Sequence, residues 1–554
     1  MAYYRNLEEY IRALEGAGLL YRVMRPINKD TEMHPLVRWQ FRGLGEDERR
    51  AFLFENIHDS KGKKYDIPVL IGGLAGSQKI YALGLNCKEE EVEGIWSRAL
   101  DKPLPPVLVG RGAVQEVVYQ GEELKRVGGL YKLPIPISTP GFDNAPYFTA
   151  GCWITKDPEN GVRNMGVYRG QLKGALKTSI SWGSLKHSAV HWEKCNKKGV
   201  PLDAAIVLGG PPSITYAAVQ PVPLGIDEVA LAGALGGEAL EVVHCKTIDL
   251  DVPAEADIVI EGRIPSDYLE PDAPFGEAHG YVDPGDLTGV FEVTAITHRK
   301  NPVYVSMLSQ LTPSESSKIK QSAYETLALK HLQKTVGPAV LRVALYEDLL
   351  NRQVAVVQLD KAKPEDKWRA LEALLPSRII HKIIVAVDPD IDPHDPMSLF
   401  WAIANRSQPH RDMRIVTNRP LPWNPIRYVA DGEHYDVNDS TLLVDATLKA
   451  EFPPVALPAR EYMEGARKIW EELGLPKLTP RPPWHGYSLG LWSEELKQQA
   501  KNATAGEHER NAEYSRSKGM KVPKGAKFVE LKEKYLADEL AEFRKQSGRK
   551  TDKT

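Results

Sequence analysis

Short apolar segments separated by turn residues fill the middle of this chain, and they limit the folds that it can adopt. They span residues 114–119, 147–155, 203–208, 241–246, 258–261 and 289–297. Many short strands in one region predict a β-barrel or a β-sandwich. The mouth of a barrel suits a flat cofactor, because inward-facing positions wall a pocket while the loops at the strand ends supply polar groups.

Helix and strand patterns precede this region. Leu7, Tyr10, Ile11 and Leu14 recur at helical spacing, and Asn6 with Glu9 forms a capping pattern. Apolar runs at 51–54 and 67–71 then predict strands of a small α/β domain. The glycine-rich loop 72–77 lacks the spacing of both common phosphate-binding motifs, so we interpret it as a turn and assign it no cofactor.

A second α/β pattern follows. Thr312 is predicted as the N-cap of a long helix that runs to about Lys334, with Glu315 completing a capping box. Strands at 339–344, 353–359 and 379–387 then alternate with a helix at 364–375. Further helices are predicted at 460–473 and 528–543, and residues 547–554 are predicted to be disordered.

These patterns predict an α/β (α+β) protein of 554 residues with five parts. They are an N-terminal α/β domain (1–114), a barrel domain (115–311), a linker helix (312–336), a C-terminal α/β domain (337–459) and a C-terminal arm (460–554). We interpret the arm as an oligomerisation element rather than a nucleic-acid tail.

Charge and cysteine usage exclude several classes of protein. The formal net charge is −3, so no overall field favours nucleic acid or an anionic membrane. The four cysteines form no C-x-x-C pair, which argues against a zinc ribbon, an iron–sulfur centre or a disulfide framework. The first turns are acidic, unlike a secretory signal, and no apolar run reaches about 18 residues. We therefore expect a soluble cytoplasmic protein that binds neither nucleic acid nor membrane.

Three polar residues in the β-rich region form a candidate metal site. Asn164, His187 and Glu228 offer an amide oxygen, an imidazole and a carboxylate. A hard divalent cation such as Mn2+ or Mg2+ accepts these donors and can share its other positions with a phosphate. The spacing alone does not separate a metal site from three structural residues, so both interpretations stay open at this point.

Several strings of the sequence resemble the UbiD-type prenylated-flavin (de)carboxylases. They are NMGVYR at 164–169, DEVALAG at 227–233, VPAEADIVIEG at 252–262, PDAPFGEAHG at 271–280, LFWAIANR at 399–406 and DAT at 445–447. Together they occur in the order of the family across residues 5–450. Because unrelated strings agree in sequence and spacing at once, the resemblance is specific.

The resemblance implies a central flavin-reductase-like split β-barrel that holds prenylated FMN. Two α/β domains joined through a long helix would flank it, followed by a C-terminal helical arm. The flavin phosphate would bind through a divalent cation, usually Mn2+, with a K+ ion nearby. By position, the divalent metal ligands would be Asn164, His187 and Glu228, and the K+ ion would lie near the backbone of Ala217, Ala218 and Gln220. The flavin would be lined by Val167, Tyr168 and Arg169, and its phosphate would contact Lys382.

The resemblance also implies the catalytic residues. Glu277 would be the general acid, and Arg169 would pair with it and set its charge state. The family commonly has a second glutamate five residues earlier, where this chain has Asp272, which is one methylene shorter and puts its reach to Arg169 in question. Ala278 replaces a larger residue and leaves space beside the acid. Lys186, next to His187, would meet the cofactor or a second anionic group of the substrate, with a solvated lysine as the alternative.

The favoured function is reversible non-oxidative decarboxylation of an aromatic or α,β-unsaturated carboxylic acid by a carboxy-lyase. A polycyclic acid or a coenzyme A thioester of an aromatic diacid would fit the space beside Ala278 and a cover formed by the C-terminal arm. Arene carboxylation in the reverse direction, a flavin reductase that uses ordinary FMN and a non-catalytic homologue are the alternatives. The expected partners are the acid and CO2, a flavin prenyltransferase that supplies the cofactor, and further copies of the chain in a homo-oligomer, a dimer or a hexamer.

Overall fold

The computed structural model describes residues 4–182, 186–222, 225–272, 274–349, 351–360, 362–376, 381–419, 438–480 and 482–546. The chain folds into two compact units. One comprises Met1–Ala386 and Met413–Val444, and the other comprises Val387–Asp412 and Asp445–Thr554. The five-part division above is finer and stays a prediction.

The N-terminal part of the first unit packs helices on a small sheet. Helix α1 (Leu7–Gly16) begins as predicted, because the Asn6 side chain accepts a hydrogen bond from the Glu9 N–H and caps it. The elements that follow are β1 (Leu20–Val23), β2 (Ile27–Asn28), α2 (Met33–Gly43), β3 (Ala51–Phe54), β4 (Ile57–His58), β5 (Lys64–Tyr65), β6 (Val69–Ile71), α3 (Gln78–Gly84) and α4 (Val92–Asp101).

The central part contains most of the strands. Its elements are β7 (Val107–Leu108), β8 (Val117–Gln120), α5 (Gly121–Arg126), β9 (Tyr147–Phe148), β10 (Cys152–Lys156), β11 (Arg163–Val167), β12 (Gly170–Gly174), β13 (Lys177–Ile180), α6 (His187–Lys198), β14 (Leu202–Leu208), α7 (Pro212–Ala218), α8 (Glu228–Gly236), β15 (Glu241–His244), β16 (Asp251–Pro253), β17 (Ile258–Ile264), β18 (Leu269–Asp272), β19 (Phe275–Gly276), β20 (Val282–Asp283), β21 (Asp286–His298) and β22 (Tyr304–Val305).

A ten-stranded sheet confirms the prediction of a split barrel between α/β parts. Its main order is β11-β10-β14-β17-β21-β13-β12-β9, with β18 and β8 also paired to the long strand β21. The sheet curls into a half-barrel. Successive residues of β14 enter different cores, since Ala205 and Val207 join one buried cluster while Ile206 and Leu208 join another. The sheet is therefore covered by apolar side chains on both faces.

Helix α9 (Glu315–Thr335) follows the barrel and ends where predicted, but its start corrects the sequence analysis. The N-cap is Ser314 and not Thr312, because the Ser314 hydroxyl accepts a hydrogen bond from the Ser317 N–H at 3.3 Å. Ser317, rather than Glu315, completes the capping box.

The Glu315 side chain is engaged elsewhere. It is buried and accepts hydrogen bonds from the N–H groups of Leu74 at 3.2 Å and Leu308 at 3.0 Å. The glycine-rich loop therefore holds a carboxylate of the chain itself. Close by, β22 pairs with β6 and completes the N-terminal sheet, whose order is β1-β3-β6-β22.

The remaining elements are β23 (Val340–Leu345), β24 (Val354–Leu359), α10 (Pro364–Ala373), β25 (Ile383–Val387), α11 (Pro396–Arg406), α12 (Pro409–Asp412), β26 (Met413–Arg419), β27 (Asp439–Asp445), α13 (Arg460–Glu472), α14 (Glu494–Thr504), α15 (His508–Ser517) and α16 (Phe528–Gln546). A five-stranded sheet has the order β23-β24-β25-β27-β26. None of the helices among the described residues has the length and apolar character needed to cross a membrane. The disorder predicted for residues 547–554 concerns positions outside the described residues.

Candidate functional site

Asn164, His187 and Glu228 come together in the structure. Asn164 lies in β11, while His187 and Glu228 are the first residues of α6 and α8. His187 Nδ1 is 3.1 Å from Asn164 Oδ1 and 4.0 Å from Glu228 Oε1. The other oxygen of Glu228 accepts a hydrogen bond from the Met165 N–H at 2.9 Å. We call these three residues the metal group.

The surroundings of the metal group fit a divalent cation. Burial raises the pKa of Glu228 to about 8, so a cation would compensate a carboxylate that is costly to ionise. The group opens on a cavity of about 190 Å³, room for an ion and several waters. The cavity is lined by Asp157, Asn160, Val162, Arg163, Asn164, His187, His191 and Gly225. The described residues contain no group of three or more His, Cys, Asp or Glu side chains that could hold a metal ion; the metal group contains two of these types and an amide.

Ala217, Ala218 and Gln220 lie at the end of α7, which packs against α8 and β11. The Gln220 amide group donates to the carbonyl oxygens of Tyr216 at 3.0 Å and Ile319 at 3.3 Å. Its own oxygen, Oε1, is buried without a hydrogen-bond partner among the described residues. A buried oxygen beside the carbonyl end of a helix is a suitable ligand for K+.

The end of β11 also carries the residues predicted to line the flavin. Val167 is half-buried and Tyr168 is buried. A Cβ atom on Gly166 would lie 2.6 Å from the Tyr168 hydroxyl oxygen, so only glycine allows the tyrosine ring to fold back on the strand. This contact explains the glycine in the NMGVYR string.

Arg169 lies two residues after the end of β11, and three carboxylates surround its guanidinium. It forms an ion pair with Glu277, and its Nε lies 3.6 Å from Asp272 Oδ1. Asp283 Oδ2 is 3.9 Å from Nη2, and the guanidinium also lies over the Phe275 ring. We call Arg169, Asp272, Glu277 and Asp283 the acid group.

The shorter side chain of Asp272 therefore reaches Arg169. Two buried hydroxyls hold it in place, since Tyr147 donates to Oδ1 at 3.0 Å and Ser179 donates to Oδ2 at 2.5 Å. The Asp272 carboxylate lies in β18 next to the long strand β21. These hydrogen-bond partners, rather than the length of the side chain, fix the position of the carboxylate.

Glu277 and Asp283 belong to one hairpin. Strands β19 and β20 pair, and the Glu277 N–H donates to Tyr281 O at 2.9 Å. Burial raises the pKa of the Glu277 carboxyl, Arg169 lowers it and Asp283 raises it again. One guanidinium facing three carboxylates favours a proton on one of them, and Glu277 is the carboxyl whose pKa is raised.

Two predicted lysines lie at different places. Lys186 is exposed at the N-cap position of α6. Lys382 forms an ion pair with Asp439 in the five-stranded sheet. Among the described residues, Lys382 makes no contact with the metal group or the acid group. Its role at the flavin phosphate therefore stays a prediction.

Sequence reasoning missed Asp283, Tyr147 and Lys320, whose positive charge lowers the pKa of Glu277. Asp283 follows Glu277 by one hairpin turn, so hairpin spacing would have indicated it. Tyr147 approaches Asp272 only through the pairing of β9, β12 and β13, which no local pattern reveals. Lys320 lies in the predicted long helix, where a lysine looks like a solvated residue.

Comparison with known proteins places these residues in context. A family model described as the 3-octaprenyl-4-hydroxybenzoate carboxy-lyase Rift-related domain matches residues 107–311. The C-terminal domain model of the same carboxy-lyase matches residues 319–445. An uncharacterised protein of Archaeoglobus fulgidus is 30% identical over 499 residues, which is 85% of this chain and 98% of that protein.

Two solved structures extend the comparison. The chain is 31% identical to an evolved dimeric form of the UbiD-class enzyme HmfF from Pelotomaculum thermopropionicum in complex with prFMN, with a TM-score of 0.70, covering 82% of this chain and 97% of that chain. It is 25% identical to the vanillic acid decarboxylase of Sedimentibacter hydroxybenzoicus in its closed form, with a TM-score of 0.75, covering 85% and 100%.

Proposed function

The chain belongs to the UbiD family, and from that premise we propose that it is a carboxy-lyase that uses prenylated FMN. The reaction is the reversible non-oxidative decarboxylation of an aromatic or α,β-unsaturated carboxylic acid. The observation that carries the proposal is the acid group, in which a partly buried glutamate with a raised pKa forms an ion pair with a partly buried arginine. That arrangement favours the protonated form of Glu277, which could then act as a proton donor.

The residues of the acid group have different roles in the proposed reaction. When bound, prenylated FMN supplies the electron sink that decarboxylation at an sp2 carbon requires. Glu277 holds the proton that replaces CO2 on that carbon, and Arg169 stabilises the carboxylate left on Glu277 after the proton has moved. Asp272, fixed by Tyr147 and Ser179, orients Arg169. The same residues serve carboxylation, in which Glu277 accepts the proton.

The metal group would hold Mn2+ or another divalent cation at the flavin phosphate through Asn164, His187 and Glu228. Carbonyl oxygens near Ala217 and Ala218, with Gln220, would hold K+. Val167 and Tyr168 would line the flavin ring, and Lys382 would contact the phosphate. We further propose a cytoplasmic homo-oligomer that receives its cofactor from a flavin prenyltransferase.

The test is mass spectrometry of the cofactor released from protein that has been co-produced with a flavin prenyltransferase. We expect prenylated FMN, and CO2 release from at least one aromatic or cinnamate-type acid, with Glu277→Gln as the inactive control. Folded protein that holds ordinary FMN despite a supply of the prenylated form would overturn the proposal in favour of a reductase. Protein that holds prenylated FMN but releases no CO2 from a panel of such acids would overturn the proposal in favour of a non-catalytic homologue.

A further inference from the structure

The loop at residues 139–144, which precedes β9, contacts the hairpin that carries Glu277. We call residues 139–144 the Asp143 loop and residues 275–283 the Glu277 hairpin. We propose that Asp143 is a positioning residue for proton transfer, because its carboxylate holds the backbone directly before Glu277 and so keeps the Glu277 side chain at Arg169. The inference rests on the proposed function, since it concerns the placement of the proton donor in that reaction.

The Asp143 carboxylate joins the loop to the hairpin. Its Oδ1 atom accepts a hydrogen bond from the Gly276 N–H at 3.0 Å, and its Oδ2 atom accepts one from the Thr139 N–H at 2.7 Å. Burial raises the pKa of Asp143, while the N–H groups of Gly276 and Thr139 lower it. These donors therefore stabilise the ionised carboxylate, and one of them belongs to the residue directly before the proton donor.

The Asp143 loop is closed on itself, so the carboxylate has little freedom to move. The Thr139 carbonyl oxygen accepts hydrogen bonds from the N–H groups of Phe142 and Asp143, both at 3.0 Å. Thr139 and Asp143 are thus connected twice, once through their backbones and once through the Asp143 side chain. The loop presents the carboxylate to Gly276 in a single orientation.

Asn144, the next residue, extends the contact to the second carboxylate of the acid group. Its N–H donates to the Pro274 carbonyl oxygen at 3.3 Å, directly before the hairpin. Its side-chain oxygen accepts a hydrogen bond from the Gln171 amide at 2.6 Å. The Tyr147 hydroxyl oxygen lies 3.2 Å from Asn144 Oδ1 and 3.0 Å from Asp272 Oδ1. The segment that holds Glu277 therefore also reaches Asp272.

Gly276 shows how closely the loop and the hairpin pack. A Cβ atom at this position would lie 2.5 Å from Thr139 Oγ1 and 2.9 Å from Gln310 Cγ. The Gln310 side chain is itself held, because Arg38 donates to its oxygen at 3.1 Å. Residue 276 thus contacts two fixed segments of the chain, and only glycine leaves room for both contacts.

The geometry of the hairpin connects this contact with Arg169. Phe275 and Glu277 lie two positions apart, so their side chains point to the same face of the hairpin. The Arg169 guanidinium lies 5.1 Å from the centre of the Phe275 ring and forms an ion pair with Glu277. A shift of the backbone at Gly276 would move both contacts of Arg169. A misplacement of about 1 Å can lower the rate of a reaction about 100-fold.

The first measurement needs no catalysis. Amide hydrogen exchange, read by mass spectrometry of peptides, is measured on the full-length protein loaded with ordinary FMN. In Asp143→Ala we expect exchange in the Glu277 hairpin to become about tenfold faster, because a hydrogen bond to a carboxylate is lost. Asp143→Asn, which can still accept from one of the two N–H groups, should lie between Asp143→Ala and the wild type.

Asp59→Ala is the matched control. Asp59 is also half-buried, and it accepts hydrogen bonds from the N–H groups of Lys61 and Lys63, both at 2.9 Å. These contacts lie in the loop between β4 and β5. The variant should leave exchange in the Glu277 hairpin unchanged.

The second measurement is the pH dependence of kcat and KM with prenylated FMN, on an acid of the panel above from which the protein releases CO2. Asp143→Ala should lower kcat about 10- to 100-fold and change KM by less than about threefold. Because Arg169 lowers the pKa of Glu277, a looser ion pair raises it, and the fall of kcat should move to higher pH. A smaller fraction of folded enzyme would lower kcat without moving the profile. Asp59→Ala should keep the kcat and the pH profile of the wild type.

Four results overturn the inference. Unchanged exchange of the hairpin in Asp143→Ala, or in Asp143→Asn where the alanine variant does not fold, shows that the carboxylate does not hold it. Faster exchange with an unchanged kcat shows that proton transfer does not depend on this contact. A lower kcat with an unmoved pH profile assigns Asp143 a role in folding alone. A raised KM at constant kcat assigns the loop to substrate binding.

Failure of the proposed function gives a different result. Faster hairpin exchange in Asp143→Ala, in a protein that decarboxylates no acid of the panel, overturns the proposed function. Asp143 is then still established as the residue that holds the Glu277 hairpin.

Discussion

The buried hydrogen bond between Tyr147 and Asp272 gives a direct test of how the acid group is held. Tyr147→Phe removes the hydroxyl that donates to Asp272 at 3.0 Å and keeps the ring, which packs on Phe275. A hydrogen bond to a charged group contributes about 1.5–3 kcal/mol, and Ser179 still donates to the carboxylate. We therefore expect the free energy of unfolding to fall by about 1.5–2 kcal/mol.

Urea denaturation, followed by tryptophan fluorescence, measures this change. Tyr131→Phe is the matched control, because Tyr131 is exposed and should show no loss. Ser179→Ala should cost a similar amount, and the double variant should cost more than the sum, since Asp272 then loses both hydroxyl donors. If Tyr147→Phe were as stable as Tyr131→Phe, the hydroxyl would not hold Asp272, and our explanation of the shorter acidic residue would be wrong.

Three further predictions follow from the metal group, the acid group and the β11 strand. Burial raises the pKa of Glu277, so the decarboxylation rate should fall as the pH rises through that raised pKa. The dependence of kcat on pH measures this fall. A rate that increases with pH would contradict the role of Glu277 as a general acid. Because burial raises the pKa of Glu228 to about 8, protons compete with the cation at neutral pH. Mn2+ affinity, measured by electron paramagnetic resonance of the free ion, should rise about eightfold from pH 7 to pH 8.5, and a flat profile would contradict this. Gly166→Ala places a Cβ atom 2.6 Å from the Tyr168 hydroxyl oxygen, so stability should fall by about 1–3 kcal/mol together with flavin content, while Gly174→Ala, where the nearest atom is 3.8 Å away, should change neither.

Local patterns predicted the parts of this fold that depend on local physics. The first helix follows from apolar spacing and the Asn6 cap, and the strands of the half-barrel follow from their apolar runs. The predicted N-cap of α9 was wrong by two residues, because both Ser314 and Thr312 can cap a helix. The tertiary contacts of Glu315 decide between them. The helix itself was correct.

The site residues that lie in motif strings could be predicted from the sequence. The residues that only the tertiary structure brings to the site could not. The resemblance named Asn164, His187 and Glu228, which lie together in the structure. By contrast, residues 125 positions apart determine how Asp272 reaches Arg169, because Tyr147 provides the hydrogen bond. No pattern in the sequence indicates Lys320, because Glu277, whose pKa it lowers, lies in a different element of the fold.

The carboxylate that fills the glycine-rich loop has a consequence for how the protein is made. The N–H of Leu74 in this loop donates to Glu315, a residue 241 positions later, and β6 pairs with β22. Neither contact can form until the later residue or strand has been synthesised. While the ribosome is still synthesising the barrel, the N-terminal sheet lacks an edge strand and the loop lacks its carboxylate. We expect the nascent N-terminal segment to stay protease-sensitive until α9 emerges, so that the first part of the chain to be translated is among the last to be completed as a folded structure.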